Sequence, residues 1–292
     1  MNKILITGSD GFIGRHYSDF LIRQDYTVIT ADKKSGVDLS DWNTVRDLPE
    51  VDCVIHLAAF NGTKNFYNVP YDVIRDNILP TQFLLDRYSG KVELFVHAGT
   101  CESYAGGVNL GITPIPTPED IALIVDDVRN PRWSYGGSKI INELQVMAAY
   151  HQHRQNFQII RFHNIYGPGQ VEHFIPEVAQ RFLSGDLTVY GGNESRSFCY
   201  IDDAIDAITQ LMFDPGTYNQ IFNVGCQEEH QILKVAEMIK NIIGVVGDLE
   251  NVPGRPGSVN RRCPDISKLK KFIDWDPTTL IEDGLKLTLK NL

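Results

Sequence analysis

Short apolar runs alternate with longer amphipathic stretches through the first two-thirds of the chain. Residues 2–7, 27–31, 51–57, 92–98 and 157–162 are rich in Ile, Val, Leu and Phe and have the length of buried strands. Residues 12–24, 70–89 and 134–153 read as helices; the last carries Ile140, Ile141, Leu144 and Met147 at helical spacing. Strand–helix alternation of this kind predicts an α/β fold, a doubly wound parallel sheet with right-handed crossovers. Past about residue 165 the pattern loosens. Segments 187–190, 202–213 and 231–243 mix short strands with helices and predict a smaller mixed α/β lobe closing over the open end of the sheet. The expected division is therefore 1–165 and 166–292, with some later segments returning to the first domain. Residues 105–133 contain Pro and Gly and read as one long loop.

Composition narrows the classes. The 292 residues are 42% hydrophobic and 22% charged, with a formal net charge of −10 and no long run of Lys or Arg. A nucleic-acid or acidic-membrane partner is not expected of such a surface. Cys53, Cys101, Cys199, Cys226 and Cys263 are scattered and form no CxxC pair, so neither a disulfide framework nor a metal site is expected. No apolar run has the length of a membrane span, and the first residues run straight into a strand without a signal segment. The expectation is a cytoplasmic protein.

The first strand is followed by Gly8-Ser9-Asp10-Gly11-Phe12-Ile13-Gly14 and then a helix. A GxxGxxG turn at that junction lets backbone N–H groups and the helix N-terminus approach a pyrophosphate. Taken alone it is also an ordinary glycine turn; its position makes it a Rossmann-type dinucleotide site. Asp32 ends the second strand, where an acid bonds the adenosine ribose and repels a 2′-phosphate. NAD is therefore expected over NADP, with Lys33 and Lys34 as neighbours that soften the preference. Asp38, in the segment with Leu39, is either an adenine contact or a loop cap.

Tyr135-Gly136-Gly137-Ser138-Lys139 opens the 134–153 helix. Tyr and Lys one turn apart share a face, and the ammonium is expected to lower the phenol pKa so that it can take a proton from a substrate hydroxyl. With the Gly-rich turn and the strand order, this set resembles the extended short-chain dehydrogenases/reductases, the NAD-dependent epimerase/dehydratase group acting on nucleotide sugars, over nearly the whole chain. The resemblance implies a catalytic Thr100, and a nicotinamide-side turn at Leu57, Ala58 and Ala59 after His56. It implies that Asn77 braces the active-site helix. It places His163 by the cofactor and Asn164 on the substrate. It also places Val189 and Tyr190 in a nucleotide-base pocket, and Arg196 and Arg255 on a diphosphate. It further implies a homodimer paired through helices 70–89 and 134–153.

Thr100-Cys101-Glu102 bears on the chemistry after oxidation at carbon 4. In 4,6-dehydratases two acidic residues come after the Thr; in UDP-glucuronate decarboxylases a Ser and then a Glu do. Glu102 fits both as a group acting after oxidation, and Cys101 stands as a candidate proton donor. The ordinary alternative is a small buried Cys and a paired Glu. Phe222-Asn223-Val224-Gly225, Glu228-Glu229-His230 and Arg262-Cys263-Pro264-Asp265-Ile266-Ser267 resemble decarboxylase segments, in which the Arg lies in the active site. Arg255-Pro256-Gly257 looks more like epimerases and dehydratases, and the loop between Thr100 and Tyr135 is longer than these families usually carry. The expected function is oxidation at carbon 4 and then net decarboxylation or dehydration. The alternatives are a 4-epimerase, a 4-dehydrogenase releasing the keto sugar, and a non-catalytic NAD sensor.

Overall fold

The computed structural model describes residues 1–254 and 258–290. Six strands form one parallel sheet: β1 (Lys3–Thr7), β2 (Thr27–Ala31), β3 (Cys53–His56), β4 (Leu94–Thr100), β5 (Phe157–Phe162) and β6 (Gln220–Val224), in the order β2-β1-β3-β4-β5-β6. The five strands read from the sequence are all present. The sixth, β6, comes from the C-terminal third and pairs with β5, Asn223 opposite Arg161.

Alternation along β1 feeds two cores. Ile4 and Ile6 face one side with Tyr17 and Leu21 of α1 (Phe12–Arg23). Leu5 faces the other, with Leu84 and Leu85 of α4 (Pro70–Tyr88) and Val146 of α6 (Trp133–His153). Both faces being covered explains why the strands are continuous apolar runs. Between β2 and α4 lie the short helices α2 (Trp42–Arg46) and α3 (Thr63–Asn68). Because β1 has β2 on one side and β3 on the other, the crevice above β1 is the topological switch point where ligands bind in such sheets.

The later residues build a smaller lobe. A three-stranded sheet joins Glu229–Gln231, Ser195–Ser197 and Arg261–Arg262, and Glu250–Val252 pairs with Thr188–Tyr190. Helices Phe174–Leu183, Ile232–Ile242 and Ile281–Leu289 complete it.

The 105–133 stretch differs from a plain loop. It opens with a helix, α5 (Ala105–Asn109), and α6 takes its last residue, Trp133. The rest, largely exposed, is tied to the body at separate points: Thr117 N donates to Cys263 O at 2.9 Å, Asp265 N to Thr117 O at 2.9 Å, and the Trp133 indole to Asp126 at 2.6 Å. A β-carbon on Gly106 would meet Ile124 O at 1.9 Å, so only glycine permits that approach. No helix among the described residues is long and apolar enough to cross a membrane.

Candidate active site

The dinucleotide cradle is built by close packing. A β-carbon on Gly8 would meet Ala58 N at 2.6 Å, and one on Gly14 would meet Gly8 O at 2.1 Å. The turn therefore draws the start of α1 against the end of β1. No side chain caps α1 at Gly11, so its first N–H groups remain to meet an anion, as a pyrophosphate requires. Phe12 and Ile13 open that helix and are partly buried against the core.

Asp32 is already oriented: one carboxylate oxygen accepts from Asp10 N at 3.0 Å, the other from Lys34 N at 2.8 Å. The Asp10 side chain bonds Ser35. Lys33 is not left to answer a 2′-phosphate, because its ammonium lies 3.0 Å from Asp38 and 3.4 Å from Asp76. Burial pushes the Asp38 carboxyl up, but the Ser40 N–H and Lys33 outweigh it and hold the group below its ordinary pKa. Leu39 beside it is buried. Leu57 and Ala58 line the turn after β3 and are tied to Thr7, while Ala59 is exposed. These residues fit NAD.

Below the turn runs a buried chain of hydrogen bonds. Ala58 N donates to Thr7 Oγ1 at 3.3 Å, Thr7 pairs with His56 Nδ1 at 2.7 Å, and His56 Nε2 pairs with Thr81 Oγ1 at 3.0 Å. Thr81 donates to Asn77 O at 3.2 Å. Because Thr7 already accepts from Ala58 and Thr81 gives its proton to Asn77, His56 is the neutral tautomer with its proton on Nε2. Burial agrees, pushing its pKa down to about 3. Asn77 then accepts from Phe60 N at 2.7 Å and donates to Ser138 on α6 at 3.1 Å. Asn77 thereby ties the turn after β3 to α6.

Tyr135 and Lys139 are both buried, one turn apart on α6. Burial lowers the Lys139 pKa to about 8, while Glu143 acts in the other direction. Glu143 itself is bound to Arg161 on β5 by two hydrogen bonds, at 2.6 and 3.0 Å, which locks α6 to the sheet. Burial raises the Tyr135 pKa and a hydrogen bond with Thr100 opposes it. The lowering expected from Lys139 does not dominate in this geometry. Thr100 ends β4 and accepts from Glu102 N at 3.2 Å, so the Thr100-Cys101-Glu102 turn is fixed beside the phenol.

Glu102 is held by two guanidiniums. Arg132 Nη2 is 2.7 Å from one carboxylate oxygen, and Arg262 Nη1 is 2.8 Å from the other. Burial raises its pKa, but Arg262 and Arg132 outweigh burial and bring it down to about 2. Arg262 Nη2 is buried without a hydrogen-bond partner among the described residues. Cys101 is buried against this cluster, and burial raises its thiol pKa.

The pattern that defines the NAD dependent epimerase/dehydratase family matches residues 4–225. The chain belongs to that family. It is an NAD-dependent enzyme of the epimerase/dehydratase type, of the class that processes nucleotide sugars through oxidation at carbon 4. It is 30% identical over 99% of its length to a UDP-N-acetyl-alpha-D-glucosaminuronate decarboxylase from Bacillus cytotoxicus, covering 97% of that protein. Among solved structures it resembles a UDP-glucose 4-epimerase of Thermotoga maritima with UDP-glucose, at 26% identity and a TM-score of 0.87, covering 99% of this chain and 97% of that one. It also resembles a variant of UDP-glucuronic acid 4-epimerase from Bacillus cereus in complex with UDP-4-deoxy-4-fluoro-glucuronic acid and NAD, at 25% identity and a TM-score of 0.84, covering 99% and 98%.

Within this family member the expected substrate residues take unequal positions. Asn164, at φ 44°, donates to Ser197 O at 2.8 Å. Val189 is fully buried in the strand pair with Glu250–Val252, whereas Tyr190 is exposed with the Arg181 guanidinium 5.2 Å over its ring. Arg196 donates to Glu194 at 2.7 Å and Ser258 at 3.1 Å, and burial brings its pKa to about 10. Arg255 lies outside the described residues. His163 pairs through Nε2 with Asn223 Oδ1 at 3.1 Å, and Tyr104 donates to the same oxygen at 2.8 Å. Two residues carry no signal in the sequence. Arg132 stands three places before Tyr135, a spacing that puts it on the same first turn. Phe66 lies on a helix with no motif of its own.

Proposed function

We propose that the enzyme decarboxylates a nucleotide-linked uronic acid after oxidising it at carbon 4. The observation that carries this reading is the double guanidinium clamp on Glu102. Tyr135, hydrogen-bonded to Thr100, accepts the proton of the carbon-4 hydroxyl. NAD, when bound, supplies the acceptor for the hydride leaving that carbon. The product is a β-keto acid, because the carbon-6 carboxylate lies two bonds from the new ketone. Breaking the bond between carbons 5 and 6 sends its electron pair toward the carbon-4 oxygen and releases carbon dioxide, so no base is needed at carbon 5. The resulting enolate takes a proton at carbon 5, and reduction of the ketone closes the cycle.

Dehydration needs a base at carbon 5. Glu102, held at about 2, stays ionised but has little affinity for a proton. Three guanidiniums, Arg132, Arg196 and Arg262, face two carboxylates, Glu102 and Glu194, which leaves cationic capacity for a substrate anion. The decarboxylase relative supports the same direction. Incubation with UDP-glucuronate, UDP-N-acetylglucosaminuronate and UDP-glucose tests it. Carbon dioxide release from a uronate supports the reading, and a carboxyl-retaining product from every uronate overturns it. The second reading is 4-epimerisation, favoured by the two epimerase structures and by a Thr100, Tyr135 and Lys139 set that suffices for it.

We further infer that two copies pair through α4 and α6. Tyr71, Ile74, Ile141 and Leu144 leave apolar side chains exposed along these packed helices, Tyr71 at 78% and Leu144 at 64%. Sedimentation showing a monomer at micromolar concentration would count against it. The five free cysteines suit the reducing cytoplasm.

A further inference from the structure

Phe66 and Tyr135 are stacked, with ring centroids 4.9 Å apart and planes at 10°. Phe66 is the one buried side chain of α3; Lys64, Tyr67 and Asn68 are exposed, and Thr63 and Asn65 are partly so. The helix is entered through Gly62 at φ 105° and held to α6 by a bond from Ser134 Oγ to Phe66 O at 3.5 Å. Phe66, Val73 and Tyr135, with Phe60 against them, form an apolar cluster separate from the two main cores. The packing of α3 is thus concentrated on the phenol.

We infer that Phe66 is a positioning residue for Tyr135, fixing the plane of the phenol and keeping water from one of its faces. The inference rests on Tyr135 as the proton acceptor at carbon 4. A tyrosine ring turns about two side-chain torsions, and displacement of a reacting group by about 1 Å can lower a rate by about 10²-fold. Thr100 meets the phenol oxygen at its edge, and Phe66 lies against the ring's face, where it opposes tilting. The negative face of a parallel ring also disfavours a phenolate, as does the exclusion of water. The titratable groups that bear on the phenol are Cys101 and Glu102 after β4; Lys139 lies one turn along its own helix, and Arg132 and Arg262 are bound to Glu102. From α3 none faces it, since Lys64 and Tyr67 are exposed.

The test is single-turnover reduction of bound NAD by UDP-glucuronate across pH, in Phe66→Leu and Phe66→Tyr. Phe66→Leu is expected to slow reduction by about 10- to 100-fold at neutral pH while sugar and NAD affinities stay within about twofold. The acid limb of its profile, which requires the deprotonated phenol, is expected to move to lower pH. Phe66→Tyr, which keeps the stacked ring, should restore most of the rate and the original limb. A loss equal at every pH, or no loss, overturns the inference. If the wild type reduces no NAD with any nucleotide sugar, the oxidation reading fails instead. The stack is then judged by NMR titration of ring-labelled tyrosine, with Tyr135→Phe assigning the resonance. A lower Tyr135 pKa in Phe66→Leu supports the inference, and an unchanged one overturns it.

Discussion

Arg132 and Arg262 approach Glu102 from opposite oxygens, at 2.7 and 2.8 Å, so one largely buried carboxylate joins the segment before Tyr135 to the C-terminal lobe. A carboxyl whose pKa falls from 4.5 to about 2 on folding stabilises the protein fully above its unfolded value and loses that contribution as pH falls toward 2. Arg132→Leu removes one guanidinium and raises the Glu102 pKa. Its acid unfolding midpoint is expected to move to higher pH than that of the wild type, at a cost of about 1–2 kcal/mol at neutral pH, since Arg262 still pairs with the carboxylate. Acid titration followed by circular dichroism checks both.

Glu102→Gln separates the steps of the reaction. Tyr135, Thr100 and Lys139 are untouched by it, so oxidation at carbon 4 should persist. The two arginines lose the anion that holds them in place, and through their displacement net product should fall by about 10- to 100-fold, with reduced cofactor and 4-keto sugar accumulating. Rapid-quench mass analysis distinguishes this from an unchanged product, which would make Glu102 a purely structural ion-pair partner.

Lys139 predicts a trade between stability and activity. Its pKa falls from 10.5 to about 8 on folding, so burying the charged form costs stability below pH 8, and that cost disappears as pH rises through 10.5. Lys139→Met should therefore melt at higher temperature than the wild type at pH 7, by a few kcal/mol at most, while losing activity. The difference should shrink between pH 8 and 10.5, which paired melting curves would show.

Cofactor choice depends on three acids rather than one. Asp32→Ala should weaken NAD and leave NADP little changed, because Lys33 stays bound to Asp38 and Asp76. Adding Asp76→Ala removes one of the two carboxylates that hold Lys33, the other being Asp38, and should raise NADP affinity. Fluorescence titration of both cofactors against the single and double variants measures it; NADP binding as tight as NAD in the wild type would contradict the argument.

The sequence made β1 to β5, α1, α4 and α6 legible because each has a strong period or apolar run and stands beside its chemical motif. β6 was legible only as the Phe222-Asn223-Val224-Gly225 motif, since five residues with a buried Asn carry no strand period. Of the site, Gly8, Gly14, Asp32, Asn77, Thr100, Tyr135 and Lys139 could be placed from spacing and resemblance. Arg132 could not, because its meaning depends on meeting Glu102 and Arg262 in space. Phe66 could not, because an aromatic residue on a short helix is ordinary until its ring is seen against Tyr135.

The position of β6 governs the order in which the molecule can be completed. β5 has β4 on one side, and among the described residues its other edge is closed by residues 220–224 alone. A chain emerging from the ribosome can assemble the cofactor turn, β1 to β5 and the catalytic helix while that edge still presents unpaired backbone groups, a template for pairing with another chain. A fragment ending near residue 165, although it holds every residue of the Thr100, Tyr135 and Lys139 set, keeps that edge open permanently. It should collect in aggregates, and the dinucleotide-binding half of this enzyme should be recoverable only with the lobe that finishes its sheet.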